Sequence, residues 1–247
     1  MTGAVRRRAF HRRSGVGSVS CGPAGTTAFS SAVTLDAADV DQPVAALSFA
    51  AAATYSWRIN EGAPLDGVVT HGHADHVGGA AHFRERYGAK IIAGGGDRAM
   101  LAAGKHEAPL CPTDFIARRR LETDQNERFT PLQADLWVDA DPRETVALDL
   151  KPLTGVDARV IALPGHTDGS LIVVTSRFAL VGDLFRGSIP GWSATRHFYI
   201  CDLADNQRDL RELLTVHAKD ATTLLPGHFG PIERASVEAL AEQPPTP

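Results

Sequence analysis

The sequence predicts an α/β protein built in layers. Three observations carry that expectation. Apolar runs of four to six residues alternate with amphipathic segments, in two β-rich halves that are each followed by helices. One such run, Leu65 to Val69, broken only by Asp66 and Gly67, leads directly into Thr70-His71-Gly72-His73-Ala74-Asp75-His76-Val77-Gly78-Gly79. Three later apolar runs each end in a His or Asp flanked by glycine.

In order, residues 1–28 are rich in Arg, Gly and Ser without periodicity and read as a basic, flexible tail. Ala28 to Leu35 reads as a strand ending in Asp36, and Ala-rich Asp41 to Ala53 as a helix with Pro43 in its first turn. Trp57 to Pro64 reads as a loop and Leu65 to Thr70 as a buried strand. Gly79 to Tyr87 is a helix closed by Gly88. Ala89 to Ala93 is the next strand, Gly94-Gly95-Gly96 a turn, and Asp97 the cap of a short helix, Arg98 to Ala103.

Gly104 to Thr130 mixes prolines, Cys111 and the basic run Arg118 to Arg120, and reads as an irregular helical insert at about 104–130. Strands follow at Leu136 to Val138, Thr145 to Leu148, Ala158 to Leu163, Leu171 to Thr175 and Phe178 to Val181. Leu203 to His217 is an amphipathic helix with Leu210, Leu213, Leu214 and His217 on one stripe. Thr222 to Leu225 is a last strand and Ser236 to Ala241 a short helix.

A length of 247 residues suits one large domain or two small ones, and 43% hydrophobic with 22% charged residues supplies an ordinary soluble core. The net charge of -4 argues against a broad nucleic-acid-binding face. No apolar run has the length of a membrane helix, so no membrane partner is expected. The N-terminal arginines are followed by too short an apolar stretch for a secretory signal. Cys21, Cys111 and Cys201 are odd in number and widely spaced, which suggests neither a disulfide framework nor a zinc knuckle. A reducing, cytoplasmic setting is the simpler expectation.

The chemistry concentrates in four segments. Besides the His-rich loop there are Leu163-Pro164-Gly165-His166-Thr167-Asp168-Gly169-Ser170, Val181-Gly182-Asp183-Leu184-Phe185 and Leu224-Leu225-Pro226-Gly227-His228-Phe229-Gly230-Pro231. Imidazole nitrogen and carboxylate oxygen suit zinc, iron and manganese. His71, His73, Asp75, His76, His166, Asp183 and His228 make seven ligand groups, enough for two divalent ions, zinc first and iron or manganese also compatible.

The order His-x-His-x-Asp-His, then His, then Asp, then His resembles the metallo-β-lactamase superfamily over roughly residues 30 to 235. The resemblance implies a four-layer αβ/βα sandwich spanning 29–247, with metals at one edge between the two sheets. It implies that His71, His73 and His166 hold one metal, that Asp75, His76 and His228 hold the other, and that Asp183 bridges them. Asp36 is the best match to the family's early-strand Asp. Asp75 would also orient the nucleophile and pass a proton to the leaving group.

Arg186, His197 and Tyr199 stand where family members recruit substrate contacts. Thr70 and Thr167 sit beside ligands and could orient them. His82, His106 and His217 read as non-ligands. Pro-Gly-His-Thr-x-Gly-Ser around His166 is most similar to the glyoxalase II group, which continues into a glutathione-binding helical domain. Only 19 residues follow His228. The expected activity is therefore hydrolysis of a small-molecule ester, thioester or lactone. The other readings are a mononuclear-iron persulfide dioxygenase and a non-catalytic metal-binding protein. The sequence leaves the oligomeric state open.

Overall fold

In the computed structural model of the protein, the described residues are 32–36, 54–58, 66–140, 147–189 and 193–245, the first two segments as backbone only. The expected tail at 1–28 and the expected helix at 41–53 lie outside them.

Thirteen strands are described: β1 (Ala32–Asp36), β2 (Thr54–Arg58), β3 (Asp66–Val69), β4 (Lys90–Gly94), β5 (Leu136–Val138), β6 (Ala147–Asp149), β7 (Arg159–Ala162), β8 (Leu171–Val174), β9 (Phe178–Gly182), β10 (Arg186–Gly187), β11 (Ala194–Thr195), β12 (Thr223–Pro226) and β13 (Ile232–Glu233). The helices are α1 (Ala74–Val77), α2 (Ala80–Tyr87), α3 (Arg98–Ala103), α4 (Phe115–Gln125), α5 (Lys151–Thr154), α6 (Leu203–Glu212) and α7 (Arg234–Ala241). One sheet has the order β1-β2-β3-β4-β5 and the other β13-β12-β9-β8-β7-β6, with β10 and β11 as a separate pair.

Side chains alternate across a strand, so each sheet presents two faces. Val68 and Ile92 of the first sheet pack with Val160, Val173 and Leu180 of the second in one buried cluster, so the sheets stack face to face. Their sequence neighbours point the other way. Val69 and Ile91 pack outward with Ala80 of α2 and Leu101 of α3. Ile172, Val174 and Val181 pack outward against Leu210 of α6 and Val237 and Leu240 of α7. Helix, sheet, sheet, helix is the expected four-layer order. These strands are almost wholly buried, which explains why they read in the sequence as plain apolar runs.

The second sheet aims its strand ends. β9 runs parallel to β12, and β8 is antiparallel to both β7 and β9, so β7, β9 and β12 all point the same way. Their C-terminal ends therefore emerge on one edge. The backbone N–H of Leu171 donates to Thr70 O at 2.7 Å, which brings the end of β3 to that same edge.

Several expectations are corrected. Thr54–Arg58 is a strand, with Trp57 and Arg58 inside it and paired to β1 and β3, where the sequence reading began a loop. The second half of the His-rich loop is itself a helical turn, α1, preceding α2. The long amphipathic helix ends its regular part at Glu212 and continues as a π-helical turn, Leu213–His217, although the stripe Leu210, Leu213, Leu214 and His217 is buried as expected.

Asp97 precedes α3 but makes no side-chain capping bond to it. Its carboxylate is recruited elsewhere, as described below. The cysteine expectation also fails, because Cys111 and Cys201 form a disulfide across 90 residues. An antiparallel bridge between Pro112 and Tyr199 and the bond from Ile200 N–H to Cys111 O bring those distant segments together. Such a pairing is invisible in spacing alone, and it removes the ground for expecting a reducing compartment. Among the described residues, no helix is long and apolar enough to cross a membrane.

The insert contains α4, capped by Asp114, whose Oδ1 accepts from the Ala117 N–H at 2.8 Å. It packs on the 197–201 loop through Leu110, Ala117 and Tyr199.

Candidate metal centre

Thr70 and His71 directly follow β3, His73 precedes α1, and α1 itself carries Asp75 and His76. β7 leads to His166, β9 to Asp183, and β12 to His228. All seven expected ligands meet at the shared edge, around Asp183. Its Oδ2 lies 3.1 Å from His76 Nε2, 3.3 Å from His228 Nε2, 3.6 Å from His71 Nε2 and 3.9 Å from His166 Nε2. His73 Nδ1 and His166 Nε2 are 3.1 Å apart, and His228 Nε2 lies 3.3 Å from Asp75 Oδ2.

The groups fall into sets that could each hold a metal ion. His71, His73 and His166 have their ligand atoms within 4.8 Å of one another, and so do Asp75, His76 and His228. His71, His76 and Asp183 form a third set that joins the two. Gly227 permits the close approach of the last loop, since a Cβ there would stand 2.5 Å from both Asp183 Oδ1 and His76 Cε1.

The donor set fits divalent metals. His71 Nε2 and Asp183 Oδ1 are buried without a hydrogen-bond partner, a costly arrangement unless a cation meets them. Burial, then the nearby His76 and His166, holds His71 well below the ordinary imidazole range. Burial and His106 take His73 down to about 3. His166 is pushed well down by burial and by His197. These imidazoles are thus neutral at pH 7, the form that binds metal.

Burial alone would raise the two aspartates, but facing histidines outweigh it. His197, His76 and His228 hold Asp183 well below the usual carboxylate range, and His76 and His228 do the same for Asp75. Burial would likewise lower His228, but Asp183 and Asp75 raise it well above the ordinary value.

The surrounding shell shows what the sequence could and could not indicate. Thr70 Oγ1 lies 3.2 Å from His71 Nδ1 and 3.3 Å from His76 Nδ1, so one hydroxyl turns both Nε2 atoms toward Asp183. Thr167 Oγ1 donates instead to Asp97 Oδ2 at 2.8 Å. Asp97 Oδ2 also accepts from the Gly72 N–H at 2.7 Å, and Oδ1 from the Gly169 N–H at 3.0 Å. This buried carboxylate, raised by its burial, ties the His71–His73 turn to the His166 loop.

Of the three expected substrate contacts, His197 alone faces the ligands, with Nε2 2.9 Å from Asp183 Oδ2. Arg186 is buried, its guanidinium 4.0 Å from the centre of the Phe198 ring and 3.1 Å from Asp114 Oδ2. The Tyr199 hydroxyl donates to Asp124 Oδ2 at 2.6 Å. Both hold the insert in place. His82 and His217 stand apart from the ligands as expected, His217 against Glu212 at 2.8 Å. His106 also reads in the sequence as a non-ligand, yet its ring lies 4.7 Å from that of His73 and is buried. Neither a spacing nor a motif marks it.

A family model of the metallo-beta-lactamase superfamily matches residues 55–228. Two hydroxyacylglutathione hydrolases of Rhodopseudomonas palustris strains are 27% and 26% identical over 164 residues, covering 62% of this chain and 48% of each relative. The chain thus spans about half the length of these curated relatives. Among solved structures, a metallo-beta-lactamase family protein from Thermus thermophilus aligns at 27% identity and TM-score 0.47, covering 72% of this chain and 58% of that one. An archaeal superfamily protein from Sulfolobus tokodaii aligns at 18% identity and TM-score 0.48, covering 71% and 66%. With that match over residues 55–228, the chain belongs to the metallo-beta-lactamase superfamily.

Proposed function

We propose that the protein is a binuclear metal-dependent hydrolase that cleaves an ester, thioester or lactone bond of a small molecule. The observation that carries this reading is the gathering of six ligand groups around the seventh, the Asp183 carboxylate. His71, His73 and His166 would hold one ion, Asp75, His76 and His228 the other, and Asp183 both. Two such ions supply a water-derived nucleophile at neutral pH and polarise the scissile carbonyl.

The chain's own groups do the rest. Thr70 fixes the tilt of His71 and His76. Asp97 keeps the two ligand loops in register. Asp75, kept ionised by His76 and His228 and with its side chain 42% exposed, is the group placed to orient the attacking water by hydrogen bond. The names of the curated relatives put thioesters first among the substrates to try.

The test is elemental analysis of freshly purified protein followed by a panel of esters, thioesters and lactones. About two zinc ions per chain and turnover of one panel class support the reading. One iron per chain with oxygen uptake on a persulfide overturns it in favour of a dioxygenase. Bound metal without turnover of any class favours a binding protein.

A further inference from the structure

We propose that His197 is an eighth metal ligand, completing the coordination of the ion held by His71, His73 and His166. The inference rests on the binuclear reading and adds to it a group from outside the four ligand-bearing segments.

The geometry comes first. His166, Asp183 and His197 present their ligand atoms within 4.8 Å of one another, a set of the same quality as the expected ones. The His197 ring lies 4.7 Å from that of His166 and 5.3 Å from that of His228, on the His166 side of Asp183. Its side chain is 4% exposed. Nε2 sits only 2.9 Å from Asp183 Oδ2, yet makes no aligned hydrogen bond to it or to anything else. Two close polar atoms that do not point at each other are placed to point at a common third atom. Zinc–nitrogen and zinc–oxygen bonds of about 2.0–2.2 Å would satisfy both.

The rest of the residue is built to allow this. Nδ1 accepts from the Tyr199 N–H at 3.3 Å and also lies 3.4 Å from Tyr199 O, so a metal on Nε2 would move the ring proton to Nδ1 and turn it to that carbonyl, the usual support for a ligand histidine. The backbone is held as well. Thr113 Oγ1 donates to His197 O at 2.6 Å, and the Thr113 N–H donates to Phe198 O at 2.8 Å. Ile200 N–H donates to Cys111 O, and the Cys111–Cys201 disulfide closes the same junction. The insert thus fixes the loop that carries the eighth group.

The test compares zinc affinity and coordination in the full-length wild type, His197→Ala and His197→Cys. Zinc is titrated against a chelator, and cobalt-loaded proteins are examined by optical and X-ray absorption. Expected is a loss of roughly tenfold or more in the affinity of one of the two zinc ions in His197→Ala, with a lower imidazole count. Cobalt-loaded His197→Cys should show a thiolate-to-cobalt band absent from wild type, an effect that damage to the fold would not produce. Unchanged affinity and imidazole count in His197→Ala, or no thiolate band in His197→Cys, overturns the proposal and leaves the two-metal reading standing. A wild type that binds no zinc overturns both.

Discussion

The Oδ2 atom of Asp97 accepts a 2.7 Å hydrogen bond from the backbone N–H of Gly72, the residue between the first two ligand histidines. The same carboxylate reaches Thr167 and Gly169 on either side of Asp168, in the loop of the third ligand histidine. One side chain therefore sets the spacing between two halves of one proposed metal position. Asp97→Ala should weaken metal binding about 10–100-fold, as loss of an outer-shell partner does. It should also destabilise the fold by roughly 1–3 kcal/mol through two orphaned backbone donors. Zinc competition and denaturant unfolding of the metal-free protein measure the two effects separately. Unaltered affinity would mean that the loops hold their register without it.

Asp183→Asn keeps the shape of the side chain and removes its charge. With five histidine nitrogens within 3.9 Å of Oδ2, the loss should fall on metal occupancy before anything else. Metal content is expected to drop from about two ions per chain to one or fewer, with activity down at least ~100-fold. Retention of two tightly bound ions would refute the bridging role.

Asp209 offers a test in the pH dependence of stability. Burial, offset in part by Arg208, raises its carboxyl to about 6. One oxygen lies 3.2 Å from Arg208 and the other is buried without a partner. The folded state holds this proton more tightly than the unfolded chain, whose Asp titrates near ~3.9. The contribution to stability is therefore complete below pH ~4 and lost as pH rises through about 6. Asp209→Asn should gain on wild type as pH rises between those limits, by up to about 3 kcal/mol at pH 7. Parallel unfolding curves across pH 4.5–7.5 would count against this.

The Cys111–Cys201 pair closes a span of 90 residues. Replacing both cysteines by serine should lower stability by roughly 2–4 kcal/mol, seen as an earlier unfolding midpoint. A reductant should reproduce the shift in wild type and do nothing further to the double variant. Equal midpoints in all samples would show that the insert holds without the bond.

Much of this was legible in the sequence because local chemistry dictated it. The seven candidate ligands lie in short segments that follow their strands, and Gly88 does end α2 in the left-handed conformation. What the sequence concealed depends on distant segments meeting. Asp97 has the position of a helix cap, and tertiary contacts redirect it to two loops. Residues 54–58 lack a long apolar run yet pair with strands on both sides. His106 carries no motif, and only the insert brings it beside the ligand groups, whereas His197 stands among the expected substrate contacts and the loop after β11 brings it to Asp183 itself. The cysteine pair is hidden for the same reason.

The ligand set is divided between the two sheets. His71, His73, Asp75 and His76 follow the first, and His166, Asp183 and His228 the second. Neither half alone completes the set for either ion in the proposed assignment. In that assignment binding free energy is available only when the halves are apposed, so the metal would act as a clasp on the sandwich. Above the dissociation constant, each tenfold rise in free zinc should add about 1.4 kcal/mol per tightly coupled ion to the unfolding free energy. Metal supply would then set how long the folded chain survives as well as how fast it works.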